Sequence, residues 1–257
     1  MSKAGASDTL PLAANWRSAR PYAPLLKADR RAFAWEWLRR HPRYRQAWLD
    51  RHVPPIDFGL FAYENPDRAT PDARPLWTPE ADPQVLDSRP GPRRGRARRA
   101  DLFDIRRVAE FVAVEVDETD TEHWLLSNGQ WIVRLDLHGG TLLGGPLLLE
   151  HSLVGFESAA GKLCTIKQLA ALAQRGDLPA EMHPCEPRAP RWILELRTAD
   201  ALAACASHQD MARTFFGLVI DETHWRREND SHRQRIRRLV RAARLYLDDP
   251  FQGPWFR

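Results

Sequence analysis

Lysine is scarce in this 257-residue chain: only Lys3, Lys27, Lys162 and Lys167 occur, and the rest of its 38 basic residues are arginine. Cysteine is scarcer still, with Cys164, Cys185 and Cys205 spaced about 20 residues apart. An odd number at that spacing fits neither a zinc knuckle nor a disulfide framework, so buried, reduced thiols are expected. No uncharged apolar run reaches the roughly 18 residues a membrane helix needs, and the nearest, 139–149, is broken by glycines. The opening MSKAGASDTLPLAAN has no apolar stretch behind a basic start, so no secretory signal and a cytoplasmic location are expected. Also missing are a phosphate-cradling glycine loop, a zincin helix and a nucleophile elbow. Gly139-Gly140 and Gly144-Gly145 read as turns or bulges. His123, His138 and His151 have no cysteine or carboxylate at ligand spacing, and Asp117, Glu118 and Asp120 read as a solvated turn. Neither an enzyme nor any metal or other cofactor is expected.

Apolar side chains make up 43% of the chain, enough for an ordinary core in one large domain or two modest ones. Charge is unevenly spread. Residues 1–53 hold 11 basic and 4 acidic side chains, and residues 54–99 hold 8 and 7. Residues 100–187 reverse the balance with 6 and 14, and residues 188–257 return to 13 and 9. Two basic ends around an acidic middle suit ends that meet a polyanion and a middle with another task. Arginine in place of lysine fits such a partner, because its planar fork matches phosphate and guanine edges; a GC-rich genome alone also enriches it.

The expected fold class is α+β. It comprises an N-terminal helical hairpin in 1–53, a Pro/Arg-rich connection in 54–100, an acidic β-rich region in 101–180 and a three-helix domain in 188–257. Phe33, Trp37 and Leu38 have helical spacing, with Trp35 adding to the aromatic load. His41-Pro42 stops that helix and opens a second, whose apolar face is Tyr44, Trp48 and Leu49. Nine prolines between 54 and 100 argue for an extended connection with a few docked aromatics, Phe58, Phe61, Tyr63 and Trp77. Its end, RPGPRRGRARR over 89–99, reads as a solvated linker or as a flexible phosphate-binding arm.

Within the acidic middle, Asn128-Gly129 between β-rich runs predicts a hairpin with a type I′ turn. Alternation of Ile132, Arg134 and Asp136 with Trp131, Val133 and Leu135 predicts a small antiparallel sheet with one wet face. Strands near 111–116 and 146–154 would join it. A helix over 158–175 follows, with Leu163, Ile166, Leu169, Ala170, Leu172 and Ala173 inward and Gly176 as its stop.

The C-terminal third carries the informative pattern. A helix over 191–205 is followed by a second over 208–216, capped by Ser207, with Asp210 in its first turn and Gly217 at its end. A capping box at Ser231 and Gln234 predicts a third helix running to about Asp248. Ile236, Leu239, Val240, Ala243 and Leu247 form its apolar stripe, and Arg233, Arg237, Arg241 and Arg244 form a second stripe beside it. Between Thr223 and Leu247 there are 8 basic and 2 acidic residues.

Three helices of this kind match a helix-turn-helix, in which the last helix enters the major groove and the preceding one crosses the backbone. His232, Arg233, Gln234 and Arg237 are then placed to reach bases, and Arg235, Arg238, Arg241 and Arg244 to reach phosphates. Free amides near Ser207, His208 and Gln209 could seat a phosphate, and Arg226 adds a cation from the preceding loop. That loop, 218–230, is far longer than the usual three- or four-residue turn. Trp255 and Phe256 read as a latch onto the core, or as an exposed tail for a partner.

AWEWLRRHPRYRQAW, DARPLWTPEADPQVL and RWILELRTADALAACASHQDMARTFFG…RRLVRAAR, in this order, resemble one bacterial family. It is that of the two-part transcriptional activators of integrative and conjugative elements, whose C-terminal half is a variant helix-turn-helix domain. The resemblance runs from about Trp16 through most of the chain. It implies a regulator-like segment in 1–53 and a DNA-binding domain in 188–257. It further implies an activator of excision and transfer genes that binds double-stranded promoter DNA, works with RNA polymerase and is held off by a small antiactivator. Ala204-Cys205 stand where small residues including glycine are expected from that family. The alternative is a protein-binding regulator without a specific DNA site of its own.

Overall fold

The computed structural model describes residues 15–92, 98–184, 186–217 and 230–256. Its strands, in chain order, are β1 Leu86–Pro90, β2 Leu102–Phe103, β3 Val112–Val116, β4 Glu122–Ser127, β5 Ile132–Leu137 and β6 Leu147–Ser152. They form one six-stranded sheet in the order β2–β6–β1–β5–β4–β3. β1 runs parallel to β5, with Leu86 opposite Leu135, and the other neighbours pair antiparallel. The expected antiparallel sheet is therefore mixed. Its parallel strand lies in the proline-rich stretch 54–100, which is thus not only a connection: Pro83 precedes β1 and Pro90 closes it, so neither interrupts the ladder.

Nor do the central strands have a wet face. Every residue of β4 and β5 is buried. One side, with Leu86, Trp124, Trp131 and Leu135, packs on Leu169 and Leu172 of helix α3, Phe156–Arg175. The other side, with Leu125 and Ile132, is covered by Leu76 and Phe61 of the proline-rich stretch. Arg134 is fully buried and donates to the Trp77 carbonyl oxygen at 2.9 and 3.1 Å, to Asp136 at 3.1 Å and to the Trp124 carbonyl. A guanidinium survives burial when its donors are filled, as these are. The polar alternation along β5 marks paired interior groups, not solvent.

The hairpin at Asn128-Gly129 forms, but Ser127 pairs with Ile132 across a four-residue loop. In that loop only Gly129 has positive φ, 91°, which excludes a type I′ turn. The Asn128 side-chain oxygen instead accepts the Gln130 and Trp131 amides at 2.9 and 3.3 Å. A Cβ on Gly129 would sit 2.2 Å from the Pro71 carbonyl oxygen, so glycine is required twice over.

Helices α1, Arg30–Leu38, and α2, Pro42–Asp50, make the expected hairpin. α1 has no outer face: Arg31 through Leu38 are all buried. α2 buries Tyr44 and Ala47 and leaves Leu49 66% exposed, a rotation from the predicted face. α1 is enclosed because the C-terminal segment packs on it. The Phe33 ring lies 5.0 Å from Trp192 and 6.0 Å from Trp255, and Trp37 lies 5.2 Å from Tyr246. Trp255 is fully buried, a latch as expected. Residues 1–53 and 188–257 thus share one core.

α3 starts at Phe156 and is turned relative to expectation. Thr165, Gln168, Leu169 and Leu172 face inward, while Leu163 and Ala170 are exposed. Thr165 and Gln168 tolerate the interior by donating to the carbonyl oxygens of Gly161 and Met182. Cys164 and Cys205 are exposed rather than buried, and Cys185 lies outside the described residues. Residues 93–97 of the arginine run also lie outside them. Among the described residues, no helix is long and apolar enough to cross a membrane.

Candidate nucleic-acid interface

Three helices build the C-terminal bundle: α4 Ala189–Ala203, α5 His208–Phe216 and α6 Asp230–Asp248. The turn from α4 to α5 is tight. Ala206 N–H donates to the Ala201 carbonyl at 2.9 Å and Cys205 N–H to Leu202 at 3.0 Å, the double bond of a Schellman motif. Such a turn needs a left-handed residue, and Cys205 supplies it with φ of 54°. Glycine is the usual residue at such a position, and here cysteine occupies it.

α5 then opens with a full capping box. The Asp210 amide donates to Ser207 Oγ at 3.1 Å, and Asp210 Oδ2 accepts the Ser207 hydroxyl at 2.7 Å and the Ser207 amide at 3.3 Å. The Ser207 hydroxyl bond, with the backbone bond and nearby arginines, holds the Asp210 carboxyl below its ordinary range. The expected phosphate seat is therefore partly taken. Ser207 is committed internally and the Asp210 charge opposes an anion, leaving the His208 and Gln209 amides. Gly217, with φ of 65°, ends α5 as predicted.

α6 lies against both helices through Ile236, Leu239 and Val240, which meet Met211, Ala212 and Ala201 beneath it, while Ala243 joins the core around Trp192 and Trp255. The remaining arc of the helix is cationic. Gln234, Arg235, Arg237, Arg238, Arg241 and Arg244 are exposed. Arg237, Arg238, Arg241 and Arg244 make no ion pair with any described residue. The row has not sunk into the acidic sheet.

Two of the expected base readers are placed differently. His232 and Arg233 are half-buried, and His232 tilts against Phe216 at 5.4 Å. Arg235 also lies over the Phe216 ring, 4.4 Å from its centre. Ser231 is inside the helix, which already includes Asp230, so the capping box predicted there does not begin it. Arg226 and loop 218–229 lie outside the described residues.

Grooves flank α6 on either side. Toward α5, His208, Val240, Arg237, Arg241 and Arg244 line a hollow of about 320 Å³, joining the start of α5 to the arginine row. Toward α4, Arg235, Arg238 and Ser231 share a hollow of about 600 Å³ with Arg191, Glu195 and Leu194. Arg191 was not anticipated, because nothing in sequence spacing tells that the first turn of α4 runs beside α6. Its Nε donates to Glu195 Oε1 at 3.0 Å, while burial pushes the Glu195 carboxyl up.

The N-terminal segment holds this bundle in place. Tyr22 Oη donates to Asp200 Oδ2 at 2.5 Å, and Arg40 spans Asp200 at 2.8 and 2.9 Å. Arg197 of α4 donates to the carbonyl oxygens of Trp16 and Arg17, both at 2.9 Å. His123 bonds Asp136 and Asp117, His138 bonds Thr121, and His151 bonds Ser88. Among the described residues no cluster of three or more such groups is arranged for a metal ion.

Residues 15–59, which contain α1, α2 and the Trp16 and Tyr22 anchors, match the sequence model of a proteobacterial transcriptional regulator-like domain. No curated protein matches the chain. The match supports a place among transcription regulators.

Proposed function

We propose that the chain is a sequence-specific DNA-binding activator of transcription, acting in the cytoplasm on promoters of excision and conjugative-transfer genes of a mobile element. One observation carries the DNA part: α6 offers an arc of exposed, unneutralised guanidinium groups on a helix braced by α5. A major groove about 12 Å wide admits a helix, and arginine forks pair with guanine edges and phosphates. Gln234 and Arg237 face outward where bases would lie; Arg238, Arg241 and Arg244 lie further along, where phosphates would. Arg235 adds a cation along the α4 side. RNA polymerase and a small antiactivator are the proposed protein partners, and no catalytic role is assigned.

A gel shift on the DNA upstream of the coding sequence, repeated across salt concentrations, tests this. Specific binding should survive non-specific competitor and weaken steeply with salt. Unchanged promoter binding by a folded Arg233→Ala, Arg237→Ala double variant would refute the assignment of α6. A rival function, binding another regulator without contacting DNA, is favoured by one feature. An apolar hollow of about 440 Å³ lies between Pro42, Leu202, Ala203 and Leu247, rimmed by Arg244 and Asp248. Absence of any salt-sensitive shift would favour that function.

A further inference from the structure

α3 carries a second apolar face that the fold does not use. Opposite the residues docked on the sheet, Phe156, Ala160, Leu163, Lys167, Ala170 and Gln174 recur at steps of 4, 3, 4, 3 and 4, and all are exposed. Phe156 is wholly exposed and Leu163 is 49% exposed. Leu153 and Val154, just ahead of the helix, are 40% and 76% exposed and extend the patch. Such a patch is unusual on a surface that stays in water, and its spacing is that of a helix-pairing seam.

We propose that this face is the contact between two copies of the chain, paired through antiparallel α3 helices about a two-fold axis between Ala160 and Leu163. The charge order along α3 selects this occupant. Its only acid, Glu157, lies in the first turn, and Lys162, Lys167 and Arg175 follow. An antiparallel copy sets Lys167 of each chain over Phe156 of the other, with the ammonium group beside Glu157. It also opposes the helix dipoles favourably, whereas a parallel copy sets like against like. Ala160 is small where the helices cross, and one patch serves both chains, as a two-fold contact requires. α3 packs on the strand core, not on the core beneath α6, so pairing leaves both cationic arcs uncovered.

Light scattering on the full chain without DNA tests the pairing and is indifferent to what α6 binds. At micromolar concentration the mass should be twice the 29.5 kDa of one chain. The double variant Phe156→Glu, Leu163→Glu should fall to the single-chain mass while keeping the wild-type far-ultraviolet circular dichroism, because both side chains are outside the core. Glu157→Lys alone and Lys167→Glu alone should each raise the dimer dissociation constant at least tenfold, and the two together should restore it. A wild-type chain of single mass throughout the range overturns the proposal. So does a double variant that stays dimeric, or a charge swap that restores nothing.

Discussion

Arginine does two opposite things in this molecule. In α1 and its surroundings Arg31, Arg39 and Arg40 have side chains only 2–6% exposed and are held by carboxylates. Arg31 spans Asp29 and Asp82 at 2.8 and 2.9 Å, and Arg40 joins Glu36 to Asp200. On α6, Arg237, Arg238, Arg241 and Arg244 stand in solvent without such partners among the described residues. Part of the positive charge counted over residues 1–53, that of Arg31, Arg39 and Arg40, is therefore spent inside the protein. That over α6 is available to a polyanion. Net charge by segment does not distinguish the two; packing does.

The largest expected contrast comes from removing one arginine of each kind. Arg40→Ala removes a buried counter-charge from both Glu36 and Asp200 and should cost about 3–5 kcal/mol in a urea unfolding titration. Arg241→Ala should move the same curve by no more than about 0.5 kcal/mol. Equal effects would erase the distinction.

Acid should find the interior group next. Burial raises the Glu36 carboxyl, but Arg39, Arg40 and the Thr70 amide outweigh it and hold it at about 2, against an ordinary 4.5. A carboxyl lowered by folding stabilises fully above its ordinary value, and that stabilisation disappears as pH falls toward the lowered one. Urea midpoints measured downward from about pH 4.5 should fall steeply in the wild type and more shallowly in Glu36→Gln. Parallel lines would show that Glu36 is not held this way.

Binding separates the outer arginines from one another. Arg237→Ala should cost about 1–3 kcal/mol and blur base preference, read as affinity across a panel of point-mutated sites. Arg241→Ala should weaken all sites alike and lower the slope of log affinity against log salt by about one. The smallest effect touches neither set. Cys205→Gly relieves a left-handed non-glycine residue and should raise stability by about 1 kcal/mol in thermal unfolding, leaving DNA affinity unchanged.

Where local rules decided the structure, the sequence was readable. α5 runs over the predicted His208–Phe216 because Ser207 and Gly217 fix its ends chemically, and the inward stripe of α6 follows from spacing alone. Long-range pairing was not readable. β1 was missed because its partner β5 lies more than 40 residues away and its own sequence, LDSRP, has no β signature. Arg134 and Asp136 looked like a solvated face because nothing local announces that Trp77 and Phe61 fold over them. Thr165 and Gln168 misled in the same manner on α3. At the candidate interface, the outward row of arginines was legible from periodicity. The diversion of His232 and Arg235 onto Phe216 depends on how α5 and α6 meet, which spacing does not encode.

Trp255 sets an order of events. Its ring sits among Phe33, Trp37, Trp192 and Tyr246, so the aromatic centre cannot close until translation has passed residue 255. Until then a growing polypeptide carries the oily flank of its first helix bare, a natural hold for a chaperone. Cutting the chain between α2 and α4 would leave each fragment with that same raw, adhesive surface.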